Sequence, residues 1–170
     1  MRTSCPRRYC LRQRFRIGRR DPTLLDQEAP RILVYPREAV VAETLEAMVS
    51  LGVTNSRMKD FYDVHFLASS FAFDGSSLTR AVRATFRRRG TPFPDSEPLI
   101  LTREFLEMPE RQTQWRAFLR RACLSASPDL VQIANVISAF LGPVLEAAAA
   151  EKSGPDTWPP GGPWQPGNER

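Results

Sequence analysis

The chain has 170 residues, room for one ordinary domain but not for two large ones. Its 24 Lys+Arg against 19 Asp+Glu give a net charge of +5, and 22 of those basic residues are arginine. Eight arginines fall within residues 1–20, an arm with no acid, so residues 21–170 carry −3 and the basic balance does not make the whole chain a nucleic-acid binder.

The arm shows no clean apolar stripe, because Leu11, Phe15 and Ile17 are scattered among charges, and such like-charge density predicts disorder over 1–20. A secretory leader needs an apolar segment where this arm has arginine. No unbroken apolar run approaches the roughly 18–20 residues of a membrane span, so no membrane partner is expected. The cysteines Cys5, Cys10 and Cys123 are sparse and odd in number. They predict a reducing cytoplasm, not a disulfide framework or a zinc site.

Pro22 and Pro30 mark residues 21–35 as extended, and Ile32, Leu33, Val34 and Tyr35 form a short β-branched run, a strand or a buried approach segment. From Pro36 onward the pattern is helical. Val41, Thr44, Leu45 and Met48 recur at helical spacing, with Gly52 as a stop. A second helix is expected from the caps Asn55 or Ser56, burying Phe61, Val64, Leu67 and Ala68. Asp74-Gly75-Ser76 caps a third helix, with Leu78, Ala81, Val82, Thr85 and Phe86 as its stripe and Gly90 beyond its end.

Thr91-Pro92-Phe93-Pro94-Asp95 reads as a loop, followed by short helices near 102–108 and 109–124. The last helix should start at Ser127-Pro128-Asp129 and bury Leu130, Ile133, Ile137, Phe140, Leu141, Val144 and Ala148, with a kink at Gly142-Pro143. Residues 152–170 are rich in proline, glycine and tryptophan and predict a tail that at most lies on the body. The expected architecture is therefore mainly α: an arm over 1–20, a helical bundle over 21–151 and a tail over 152–170.

The densest polar cluster is Asn55 to Asp63. On a helix Arg57 and Asp60 share a face, and Lys59 and Asp63 form a four-residue pair. A carboxylate held beside a cation stays ionised and can orient a hydroxyl or bind a metal, although two surface ion pairs explain the same spacing. His65 is the sole histidine, and no nucleophile elbow accompanies it. Cys123 reads as a small buried hydrophobe beside Leu119. Arg80, Arg83 and Arg87 share one helical face, either a phosphate-contacting stripe or a solvated basic surface. The chain has no P-loop, no closely spaced carboxylate pair of the D-x-D kind and no paired metal-binding histidines, so no metal ligand is assigned.

Three stretches resemble the AbiEii/AbiGii toxin family of nucleotidyltransferase-like, type IV toxin–antitoxin and phage-abortive bacterial proteins. They are Tyr35-Pro36-Arg37-Glu38-Ala39-Val40-Val41-Ala42-Glu43, then Ser56-Arg57-Met58-Lys59-Asp60-Phe61-Tyr62-Asp63, then Arg87-Arg88-Arg89-Gly90-Thr91-Pro92. The late Trp158-Pro159-Pro160-Gly161-Gly162-Pro163-Trp164 is also similar, which extends the likeness over about residues 22–164. The resemblance implies a helical C-terminal lobe that completes a nucleotide site built on a separate α/β lobe. Matched residue by residue, Asp60 would be the catalytic acid, vestigial or completing that site. Arg57, Lys59, Asp63 and Glu43 would bind nucleotide.

The family activity so implied is transfer of a nucleoside monophosphate from an NTP, with Mg²⁺, to an acceptor such as RNA, under control of an antitoxin protein. Neither Mg²⁺ nor NTP is supported by this chain's own residues. The metal-binding G-S and D-x-D elements have no counterpart, and Thr44 stands where the family has lysine after Glu43. The expectation is a truncated, cytoplasmic member inactive on its own. The alternatives are a non-catalytic helical module that binds a protein or nucleic acid, and a degraded gene product without activity.

Overall fold

The computed structural model describes residues 35–124 and 128–166, and the expectations for the arm, the β-branched run before Tyr35 and Ser127 lie outside these. Among the described residues the protein is mainly helical, as its periodicity predicts. Six α-helices run in order: α1 (Arg37–Leu51), α2 (Met58–Ser70), α3 (Gly75–Arg89), α4 (Arg103–Leu106), α5 (Pro109–Ala122) and α6 (Leu130–Ala149). The strands β1 (Phe73–Asp74) and β2 (Thr157–Trp158) pair antiparallel, with Phe73 opposite Trp158 and Asp74 opposite Thr157.

Local chemistry sets most helix ends. Pro36 precedes α1, and Gly52 closes it with φ +49, a value that suits a residue without Cβ. Asp74 caps α3 by accepting from the Ser77 amide at 2.7 Å, and left-handed Gly90 ends it. Asp129 caps α6 through the Gln132 amide at 2.8 Å, so the helix starts at Leu130. The start of α2 differs from its sequence reading. Asn55 Oδ1 accepts from the Arg57 amide at 2.8 Å, an Asx turn that delays the helix to Met58 and leaves Arg57 as its cap.

Packing follows the predicted stripes. Val41, Leu45 and Met48 of α1, Phe61, Val64 and Ala68 of α2, and Leu78, Val82 and Phe86 of α3 are all buried. Those of α2 and α3 close on α6, while α1 packs on α3 and α2. α6 buries nine residues from Leu130 to Ala148 and carries Pro143 inside a continuous helix. By length and composition α6 is apolar enough to cross a membrane, contrary to the sequence expectation. Gln132, Asn135 and Ser138 break its apolar run without adding charge, so counting unbroken runs missed it. Here its apolar stripe forms the centre of the bundle core.

Cys123 is not the buried hydrophobe expected. It is exposed and caps α5 in the left-handed region with φ +57.

The segment after α6 is more than a surface tail. Trp158 is 2% exposed, and its indole N–H donates to the Ala68 carbonyl of α2 at 2.8 Å. The Gly161 amide donates to that same carbonyl at 2.9 Å. Phe140 of α6 is flanked by Phe73, Trp158 and Trp164 at centroid distances of 5.0, 4.9 and 5.8 Å, and the Trp164 indole donates to the Phe140 carbonyl at 3.0 Å. A Cβ on Gly162 would stand 2.5 Å from the Trp158 ring, so the turn needs glycine there.

Composition forbids this segment a core of its own, but its aromatic rings complete the core of the helices. Trp158→Ala removes a fully packed indole and one of the two donors to the Ala68 carbonyl, which keeps the Gly161 amide. It should cost about 3–5 kcal/mol in denaturant unfolding. A loss below about 1 kcal/mol would mean that the segment only rests on the bundle.

Candidate functional site

The polar cluster forms because the Asx turn at Asn55 aims the first turn of α2 outward while Phe61 and Val64 anchor its other side. Arg57 Nε lies 3.3 Å from Asp60 Oδ2, and Lys59 Nζ pairs with Asp63 Oδ2. The cation side chains are 60% and 56% exposed, against 9% and 31% for their carboxylates. Each carboxylate therefore sits nearer the core and steers a cation whose tip stays in water. The Lys59–Asp63 pair adds only about 0.3–0.5 kcal/mol to stability.

Asp60 is different because it is buried. Its Oδ2 makes no hydrogen bond of good geometry. Desolvation raises its pKa above the usual carboxylate range, opposed by the Arg57 charge and reinforced by Asp63. Tyr62 is pushed up by the same burial and by Asp63. His65 is pushed down by burial, and its Nε2 lies 3.4 Å from Ser69 Oγ on the next turn, which fits a partly buried packing residue.

Glu43 joins a different group. Its carboxylate takes Arg88 of α3 at 2.8 Å. One turn on, Glu46 is 3% exposed and accepts from Arg89 at 2.5 Å and from the Thr91 hydroxyl. Two carboxylates of α1 thus fasten the arginine-rich end of α3. Glu46 went unnoticed in the sequence because its partners lie more than forty positions away, and no local pattern joins a lone Glu to them. Thr44, half-buried beside them, donates its hydroxyl to the Val40 carbonyl at 2.8 Å.

Arg111 and Asn55 complete the surroundings of the cluster. Arg111 of α5 lies 4.4 Å from the centre of the Phe105 ring and donates to the carbonyls of Asn55, at 2.9 Å, and Val53. It pins the turn that positions Arg57. Asn55 Nδ2 and Trp115 Nε1 are buried without hydrogen-bond partners. Among the described residues, four of the five buried polar atoms left in that condition, including Asp60 Oδ2 and Arg111 Nε, belong to α2, its preceding turn and α5. Unmade bonds of this kind gather where a ligand or ordered water is required.

The arginine stripe of α3 is neither idle nor merely solvated. Arg83 donates to the carbonyls of Ala147, Ala148 and Lys152 and so closes the C-terminal end of α6. Arg87 pairs with Glu151 at 2.5 Å. These contacts withdraw much of the stripe from binding a nucleic-acid backbone.

The described carboxylates do not suit a magnesium ion. Asp60 and Asp63 each already face a cation, and no group of three or more potential metal ligands occurs among the described residues.

A family model described as nucleotidyl transferase AbiEii toxin, Type IV TA system, matches residues 12–147. That match begins inside the arginine-rich arm, ten residues earlier than the sequence resemblance suggested, and stops before the tryptophan-rich segment. The second half of the arm therefore aligns with the family. No curated protein and no solved structure matches the chain.

Asp60 yields a test of the site's electrostatics. Because its folded pKa is raised, the folded protein binds that proton more tightly than the unfolded chain does. The resulting stability is fully present below the ordinary carboxylate pKa and is lost as pH rises through the raised value. Asp60→Asn should therefore raise the melting temperature at neutral pH, with the gain shrinking to nothing in acid. A neutral-pH loss of stability in this variant would show that attraction to Arg57 outweighs desolvation.

Proposed function

The chain belongs to the AbiEii nucleotidyl transferase toxin family, and we propose that its helical body is a nucleotide-binding element of such a toxin, not a self-sufficient transferase. Nucleotidyl transferases of this class generally use an NTP and Mg²⁺, and a type IV toxin–antitoxin family points to an antitoxin protein as partner.

One observation carries the reading: two cations on the first turns of α2, each steered by a carboxylate beneath it and each with its tip in water. Guanidinium and ammonium groups so presented suit the oxygens of a triphosphate, and prior alignment lowers the entropy lost on binding. Asp60 and Asp63 act here as positioning residues. Their displacement from the cations by phosphate would leave Asp60, with its raised pKa, able to hold or accept a proton at the mouth of the site.

Transfer of a nucleoside monophosphate to an acceptor such as RNA needs more than this body offers. Mg²⁺ lowers the charge of the triphosphate and of the leaving pyrophosphate. Asp60 and Asp63 are already committed to Arg57 and Lys59, so no step is assigned to a metal here. Thr44 removes the long cation that the family pattern has beside Glu43. The catalytic half of the site must then come from outside the described helices, and a nucleotide bound here would await it.

Purified protein should bind ATP saturably in calorimetry, and Arg57→Gln/Lys59→Gln should weaken binding about tenfold or more. The same protein given labelled NTPs, Mg²⁺ and tRNA should show no transfer. Clear incorporation, abolished by Asp60→Ala, would overturn the claim that it cannot act alone.

A further inference from the structure

Asp60 is buried beside the two cations, and a phosphate arriving at them would change what holds its charge. Its side chain is 9% exposed, and the cation in contact with it is Arg57, whose Nε lies 3.3 Å from Oδ2 without making a hydrogen bond. We propose that nucleotide binding at Arg57 and Lys59 is coupled to protonation of Asp60, so that the site takes up a proton from solvent together with its ligand. This rests on the phosphate-binding role given above to those two cations.

A buried carboxylate keeps its charge only while a cation or hydrogen bonds offset the water it has lost. For Asp60 the offset comes from Arg57 in contact, from Lys59 farther off and from its place in the first turn of α2. Asp63, 31% exposed and paired with Lys59, works against it. Among the described residues, α1, α5 and α6 pack against α2 and send Asp60 no replacement cation. α1 turns Glu43 and Glu46 to the arginines of α3, and α5 spends Arg111 on the Val53 and Asn55 carbonyls. Glu146 is the only charged residue of α6.

Phosphate can reach Arg57 in two ways, and both favour the proton. The Arg57 side chain is 60% exposed and holds only Asp60. If it turns to the ligand, the carboxylate loses its contact cation where water barely enters. If Nε stays on Asp60 and the Nη groups take the phosphate, negative charge arrives one guanidinium away. In either case Asp60 gains a proton from solvent, and no covalent bond of the ligand breaks. Burial already lifts its pKa above the usual carboxylate range, and the ligand lifts it further toward neutrality. By linkage, ATP then binds best below the pKa of the free protein. The advantage fades as pH rises through the pKa of the complex.

The direct test is an NMR titration of the Asp60 carboxyl carbon with and without saturating ATP. Its midpoint should move to higher pH when ATP is bound, and an unchanged or lower midpoint would overturn the proposal. A second measurement compares the ATP affinities of wild type and Asp60→Asn from mildly alkaline to mildly acidic pH. A terminal phosphate titrates by itself at about pH 6, and the comparison cancels that contribution. Asparagine keeps an oxygen for Arg57 but takes up no proton.

The variant should bind ATP several-fold more tightly than wild type at neutral pH, and the gap should close in acid. Its size is about tenfold for each unit that ATP adds to the Asp60 pKa. A ratio that stays constant with pH would count against the coupling as decisively as a fixed midpoint. Failure of ATP to bind at any pH would overturn the nucleotide reading and this inference with it. Binding without the midpoint shift overturns this inference alone.

Discussion

Nine side chains of α6 leave water together, and the positions of the other elements follow from covering them. α2 and α3 lie against this helix, and the aromatic rings of the segment after it close the remaining side around Phe140. Because Phe61, Val64 and Ala68 must face inward, the neighbouring positions Arg57 and Lys59 face water. The same demand places α3 so that Arg83 meets the open carbonyls at the end of α6. The presentation of charge is a by-product of apolar packing.

The arginines divide by what they face. Arg83 and Arg89 serve the fold: one closes a helix end, and the other meets a buried carboxylate that would be expensive left alone. Arg111 serves the site at one remove, by holding the turn before α2. Arg57 holds only Asp60, three positions on, and keeps exposed reach for a ligand. Residue type alone does not separate these roles. The partner does.

Local signals in the sequence were enough for the helices, the Asp74 cap and the glycines at Gly52 and Gly90, because each depends on residues within one or two turns. The start of α6, by contrast, was read at Ser127-Pro128 and falls at Asp129. The R-x-K-D-x-x-D pattern was legible for the same reason. What the pattern could not carry was long-range. Glu46 with Arg89, Arg111 with the Asn55 carbonyl and Trp158 with the Ala68 carbonyl join residues 43, 56 and 90 positions apart. Glu43, grouped by resemblance with Arg57 and Asp60, belongs in space with Arg88. Cys123 read as buried because it follows Leu119 at helical spacing, but the helix ends one residue before it and turns it to solvent.

The account rests on Arg57 and Lys59 as the groups that meet phosphate oxygens. The most direct measurement follows the side-chain N–H signals of these two residues by NMR as ATP is added. Saturable shifts of Arg57 Nε–H and Lys59 Nζ–H, with the same midpoint as total ATP binding, are the predicted result. ATP binding that saturates while both signals stay in place would contradict the account.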